Sequence, residues 1–177
     1  MTDMKRIILL VLAAALLLAG CGKAPAETTE PKQTTEAAKP VPMVSMYDLR
    51  VSMLAAQAGL PEMTSVSSSD ENADGLFAYL SDLDYEKVEG FFLSYASDGK
   101  TANEIAVVCL KDEADLPALK TSLQAHVQGR VDLYKTYAPD QVDQASAAEL
   151  VTQGRYMALV MCADRAAVKA AFSAGLQ

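Results

Sequence analysis

Glu104-Ile105-Ala106-Val107-Val108-Cys109-Leu110 is the stretch that decides the fold. Six of its seven residues are apolar, and the β-branched side chains at 105, 107 and 108 favour extended backbone. An apolar run without alternation reads as a central strand, covered on at least one face. Upstream, residues 88–97 hold Val88, Phe91, Phe92, Leu93 and Tyr95 and read as a second strand. Ser97-Asp98-Gly99-Lys100 between them is turn chemistry, so the two strands form a hairpin.

Downstream, residues 150–152 and 156–162 flank Gln153-Gly154-Arg155. Gly154 can take the left-handed turn position, which makes a second hairpin. Between the hairpins, Leu116, Leu119, Leu123, Val127, Val131 and Tyr134 recur at spacings of three and four, the stripe of a long helix. Acidic residues at 112, 113 and 115 suit its N-terminus, and Tyr137-Ala138-Pro139-Asp140 ends it. His126, the single histidine, borders the stripe and is expected to be partly exposed. Asp164 is placed to cap a last helix that turns Val168, Ala171 and Phe172 to the sheet. Toward the N-terminus, residues 46–58 read as an amphipathic helix stopped by Gly59 and Pro61, and residues 64–75 as a polar loop. Residues 76–80 read as a short helical turn. The expected architecture over residues 45–177 is a single α+β domain. It has one antiparallel sheet of about four strands, from two hairpins, with the helices packed on one face. The other face, around Phe92, Tyr95 and Tyr156, is the expected partner surface.

The first 21 residues follow a different logic. Lys5 and Arg6 precede an uncharged apolar run at 7–18, and Leu18-Ala19-Gly20-Cys21 follows. The order is that of an export signal occupying residues 1–20. As a helix the apolar run rises only about 18 Å, against roughly 30 Å of hydrocarbon, which argues against a retained span. Its ending resembles the lipobox of bacterial lipoproteins. That resemblance implies cleavage after Gly20 and a diacylglycerol on Cys21, whose two chains suffice for stable anchoring. Residues 21–44 are rich in Pro, Thr, Glu, Lys and Ala and read as a disordered tether with a reach of roughly 27 Å.

The whole chain carries a formal charge of −8, and loss of residues 1–20, with Lys5, Arg6 and Asp3, takes it to −9. Nucleic acid is an unsuitable partner for such a surface. Cys109 and Cys162 both fall in apolar strands, as buried thiols or, outside the cytoplasm, as a disulfide if their α-carbons lie within about 7 Å. Asp70-x-Asn72-x-Asp74-Gly75 matches the first half of a calcium loop. Its closing ligand is missing, because the twelfth position is Ser81. Asp74 is alternatively the N-cap of the following helix. No phosphate-binding glycine loop, no zinc-binding His-Glu-x-x-His and no nucleophile elbow occurs, so neither a cofactor nor a metal is expected and a hydrolase has little support.

Asn103-Glu104-Ile105-Ala106-Val107 in the first hairpin, the helix ending in Tyr137-x-Pro139, the alanine-rich segment after it and Gly154-x-Tyr156 before the last strand come in a characteristic order. Over roughly residues 76–175 this resembles a family of small Gram-positive lipoproteins known only as a domain of unknown function. The resemblance implies an exported, anchored α+β domain and brings no activity. The expected function is therefore a non-catalytic binding or interaction module, lipid-anchored on the extracytoplasmic face of the cell membrane, with an envelope protein or small ligand as partner. A calcium or small-ligand sensor built on Asp70, Asn72 and Asp74 is the alternative.

Overall fold

The computed structural model describes residues 44–177, which fall within one compact unit. The expected signal at 1–20, including Leu18, Ala19 and Gly20, together with Cys21 and the expected tether as far as residue 43, lies outside the described residues. Val44 is already docked: its N–H donates to the Tyr156 hydroxyl at 3.2 Å, and its side chain packs on the core.

Five strands form one antiparallel sheet: β1 (Met63–Ser67), β2 (Val88–Ala96), β3 (Glu104–Leu110), β4 (Glu149–Gln153) and β5 (Tyr156–Met161), in the order β1-β2-β3-β5-β4. The α+β class and the single antiparallel sheet are as expected. The strand number is five, because β1 occupies what the sequence suggested was the start of a polar loop. Met63-Thr64-Ser65-Val66-Ser67 shows little apolar alternation, since it is an edge strand that uses hydroxyls. Ser65 Oγ and Ser94 Oγ lie 2.8 Å apart, and Thr64 Oγ1 and Ser97 Oγ 2.9 Å apart.

The helices are α1 (Met46–Ala55), α2 (Ala73–Phe77), α3 (Leu116–Tyr137), α4 (Val142–Ser146) and α5 (Arg165–Gly175). They cover both faces of the sheet, not one. Ile105, Val107 and Cys109 point to a core closed by Leu49 and Met53 of α1 and Val168 and Phe172 of α5. Ala106, Val108 and Leu110 point the other way, to Leu119 and Leu123 of α3 and Phe77 of α2. Successive strand residues alternate faces, so the unbroken apolar run of β3 is what a strand buried on both sides requires. A smaller core joins Val131 and Tyr134 of α3 to Ala145 of α4 and Met161 of β5. The described residues thus supply three apolar cores.

Local signals account for the joints. Asp164 caps α5 through its side chain, accepting from Ala167 N at 3.0 Å. Gly154 takes φ 52° at the β4–β5 turn, where a Cβ would be strained. The N-cap of α2 is Asn72 rather than Asp74, which lies in the helix's first turn.

Candidate functional site

Covering both faces moves the place where a partner can bind. Phe92 and Tyr156 are wholly buried under α1 and α5. Tyr95 is the cross-strand partner of Glu104 and points to the opposite side, toward α3. The expected surface of Phe92, Tyr95 and Tyr156 therefore does not exist: two of its rings are core, and the third faces away from them.

Tyr95 lines a cavity of about 670 Å³ between the end of the sheet, α2 and α3. Val66 of β1, Leu93 of β2 and Leu76 of α2 make its apolar wall, and Tyr79 stands at the mouth, 76% exposed. His126, Gly129 and Arg130 of α3 make the opposite wall, with Glu104 of β3 at its base. The spacing of His126, Gly129 and Arg130 puts them on one face of the helix.

Glu104 is the only charged residue among those that are buried within 44–177, 3% exposed at the head of an otherwise apolar strand. Register explains its direction, because it shares a face with Ala106, Val108 and Leu110. Its carboxylate meets two nitrogen donors from α3, an imidazole and a guanidinium. His126 Nε2 lies 2.5 Å from Oε1, and Arg130 Nε lies 3.3 Å from Oε2. With a carboxylate as acceptor, Nε2 carries the hydrogen. The Arg130 contact is close enough for charge attraction but too far off line for a hydrogen bond, so its buried Nε–H has no acceptor. Arg130 Nη2 donates to the Tyr134 hydroxyl at 2.7 Å, and its guanidinium sits 5.0 Å from that ring's centroid. The Tyr134 hydroxyl in turn donates to the Thr101 carbonyl at 2.9 Å. Burial raises the Tyr134 phenol, opposed in part by the positive charge of Arg130. A buried carboxylate thus fixes an imidazole and a guanidinium on one wall of a pocket, and a buried phenol braces the guanidinium from behind.

This arrangement holds the base and orienting acid that a triad uses, yet the hydroxyls lining the cavity belong to Tyr79 and Tyr95, with no Ser, Thr or Cys on its walls. Ser122, one turn before His126, is engaged with Ser81 Oγ at 2.8 Å and Asp82 N at 2.9 Å.

The remaining sequence candidates are scattered. Asp70 Oδ2 accepts from Ser67 N at 2.6 Å to close a turn. Gly75 lies in α2 and outside the left-handed region, so Asp70, Asn72 and Asp74 do not form the looped shell that calcium needs. Among the described residues no three His, Cys, Asp or Glu side chains gather as a metal site. Cys109 and Cys162 are free buried thiols, not a disulfide. Cys109 pairs with Tyr156, whereas Cys162 follows Met161, the partner of Glu104. That offset along the ladder is roughly 20 Å, well beyond the reach of a disulfide. Burial raises both thiols, Cys162 to about 11.

Fold and pocket together define a class: an α+β domain whose antiparallel sheet is covered on both faces and carries a small-molecule-sized pocket beside an ion-paired helix wall. Residues 62–162 match the family described as Domain of unknown function (DUF4358), and the chain belongs to that family. The matched range runs from the edge of β1 to the end of β5. It takes in every residue named on the pocket, while α1 and α5 lie outside it. No curated protein and no solved structure matches the chain.

Proposed function

We propose that the chain is a Gram-positive lipoprotein, exported by residues 1–20 and held by diacylglycerol on Cys21 at the extracytoplasmic face of the membrane. Its domain is a non-catalytic binding module that takes a ligand in the pocket between α2, the sheet and α3. One observation carries the binding role: buried Glu104 holds His126 and Arg130 on the wall of an open cavity that has apolar walls elsewhere. An interior charge is expensive to bury unless it is paired, and apolar walls with a few convergent polar groups are the make-up of a ligand site. The cavity lies within the range of small-molecule sites, roughly 300–1,000 Å³. The lack of a nucleophile beside His126 favours binding over acyl transfer.

Location and binding are tested separately. In cells, Cys21→Ser should leave the leader uncut and abolish lipid labelling; normal processing of that variant removes the anchor. On residues 22–177, a small-molecule library read by thermal shift should yield ligands whose effect disappears in Arg130→Met. A library without such ligands defeats the pocket as a binding site.

A further inference from the structure

We propose that the pocket takes a small amphipathic carboxylate, seated against bare backbone of α3 at Gly129; this rests on the pocket being the binding site. Gly129 lies inside the 22-residue helix α3, where glycine weakens a helix relative to alanine. The usual structural reason for such a glycine is close packing against a neighbour. That reason is absent here, because a Cβ built at 129 meets no atom within 4 Å. The missing side chain instead leaves an open notch in the pocket wall between His126 and Arg130.

The head of the ligand follows from what this wall offers. Glu104 is 4% exposed at its side chain and is occupied by its two partners. The groups with spare capacity are donors: Arg130 has five N–H bonds, of which the enclosed Nε–H lies against Glu104 and one on Nη2 serves Tyr134, which leaves the other Nη hydrogens for a ligand. A carboxylate matches a guanidinium better than a neutral acceptor does, since charge-assisted bonds are shorter and stronger. An ammonium head would meet the guanidinium and find the one carboxylate already enclosed. The body of the ligand faces Val66, Leu76 and Leu93, with the exposed ring of Tyr79 placed to cover it.

The test uses residues 22–177 and three probes of one shape, 4-phenylbutyrate, 4-phenylbutyramide and 4-phenylbutylamine, measured by calorimetry. The acid should bind about tenfold tighter than the amide, and the amine weakest. Gly129→Leu should weaken the acid at least about tenfold while raising the thermal midpoint by about 4 °C. Gly129→Ala, the gentler substitution, should raise the midpoint similarly and weaken binding less. Preference for the amine or amide, or undiminished acid binding in Gly129→Leu, overturns the inference. If library ligands are displaced by Gly129→Leu but none is a carboxylate, the inference fails and the pocket stands. If no ligand of any class responds to Gly129→Leu or Arg130→Met, the pocket reading itself falls.

Discussion

Replacing Glu104 by alanine should destabilise the domain by about 2–3 kcal/mol. Breaking a buried ion pair by removing one partner costs about 3–5 kcal/mol, because the other charge is left without compensation. Here the stranded groups are His126 and Arg130, whose side chains are 15% and 26% exposed. The cavity admits water to both, which lowers the penalty to about 2–3 kcal/mol. Urea unfolding of a domain of this size has a slope of about 1.5–2 kcal/mol per molar, so the midpoint should fall by about 1.5 M. The chain has no tryptophan, so far-UV circular dichroism is the suitable signal. Glu104→Gln keeps the shape and one acceptor and should lose about half as much. A double-mutant cycle with Arg130→Met should show a coupling above about 1 kcal/mol. The exposed Lys135–Asp132 pair, 57% exposed on both sides, is the control and should show almost none. A midpoint shift under about 0.3 M for Glu104→Ala, given the same slope, would refute the claim that this carboxylate organises the α3 wall.

Four further outcomes follow from the structure. Ellman's reagent at pH 8 should find neither Cys109 nor Cys162 in the native domain and both in urea. Because burial raises the Cys162 thiol from 9.0 to about 11, its stabilising contribution is complete below pH 9 and is lost as the pH rises toward 11, which urea midpoints at pH 8 and 10.5 will show. The Glu149 carboxyl is held below its ordinary value, first by its hydrogen bond to Lys169 and also by Arg165. Its contribution is present above the unfolded value of 4.5 and is lost as the pH falls through the lower folded value, so Glu149→Gln should flatten that part of the acid limb slightly. Gly154→Ala, forced into φ 52°, should lower the thermal midpoint by about 5 °C by calorimetry.

The parts of the fold legible in the sequence are those where local pattern and burial coincide. Residues 104–110 form the whole of β3, and the Gln153-Gly154-Arg155 turn joins β4 to β5 as its chemistry suggests. The α3 stripe is also as read, with Leu119, Leu123, Val131 and Tyr134 buried along it. What was not legible is which face each helix covers. An apolar stripe states that a helix packs on something, not on which side of the sheet. The unbroken apolar run at 105–110 is the available clue, since a strand without polar alternation needs cover above and below, as the full burial of β3 shows. The same limit misplaced Phe92 and Tyr156: aromatic content marks a strand, but only the register against β3 decides whether a ring meets α5 or α3.

The pocket was hidden for a related reason, and its signal was a mismatch rather than a motif. Glu104 heads a strand whose other six residues are apolar, and its parity with Ala106 and Val108 directs it under the long helix. A carboxylate there needs a cationic partner from that helix. Only His126 and Arg130, one turn apart, answer it. Taken singly, each is an ordinary polar residue beside the α3 stripe. Gly129 between them is the stronger clue once the three are set together. Glycine weakens a helix interior, and at 129 no side chain of the described domain closes on the backbone to account for it.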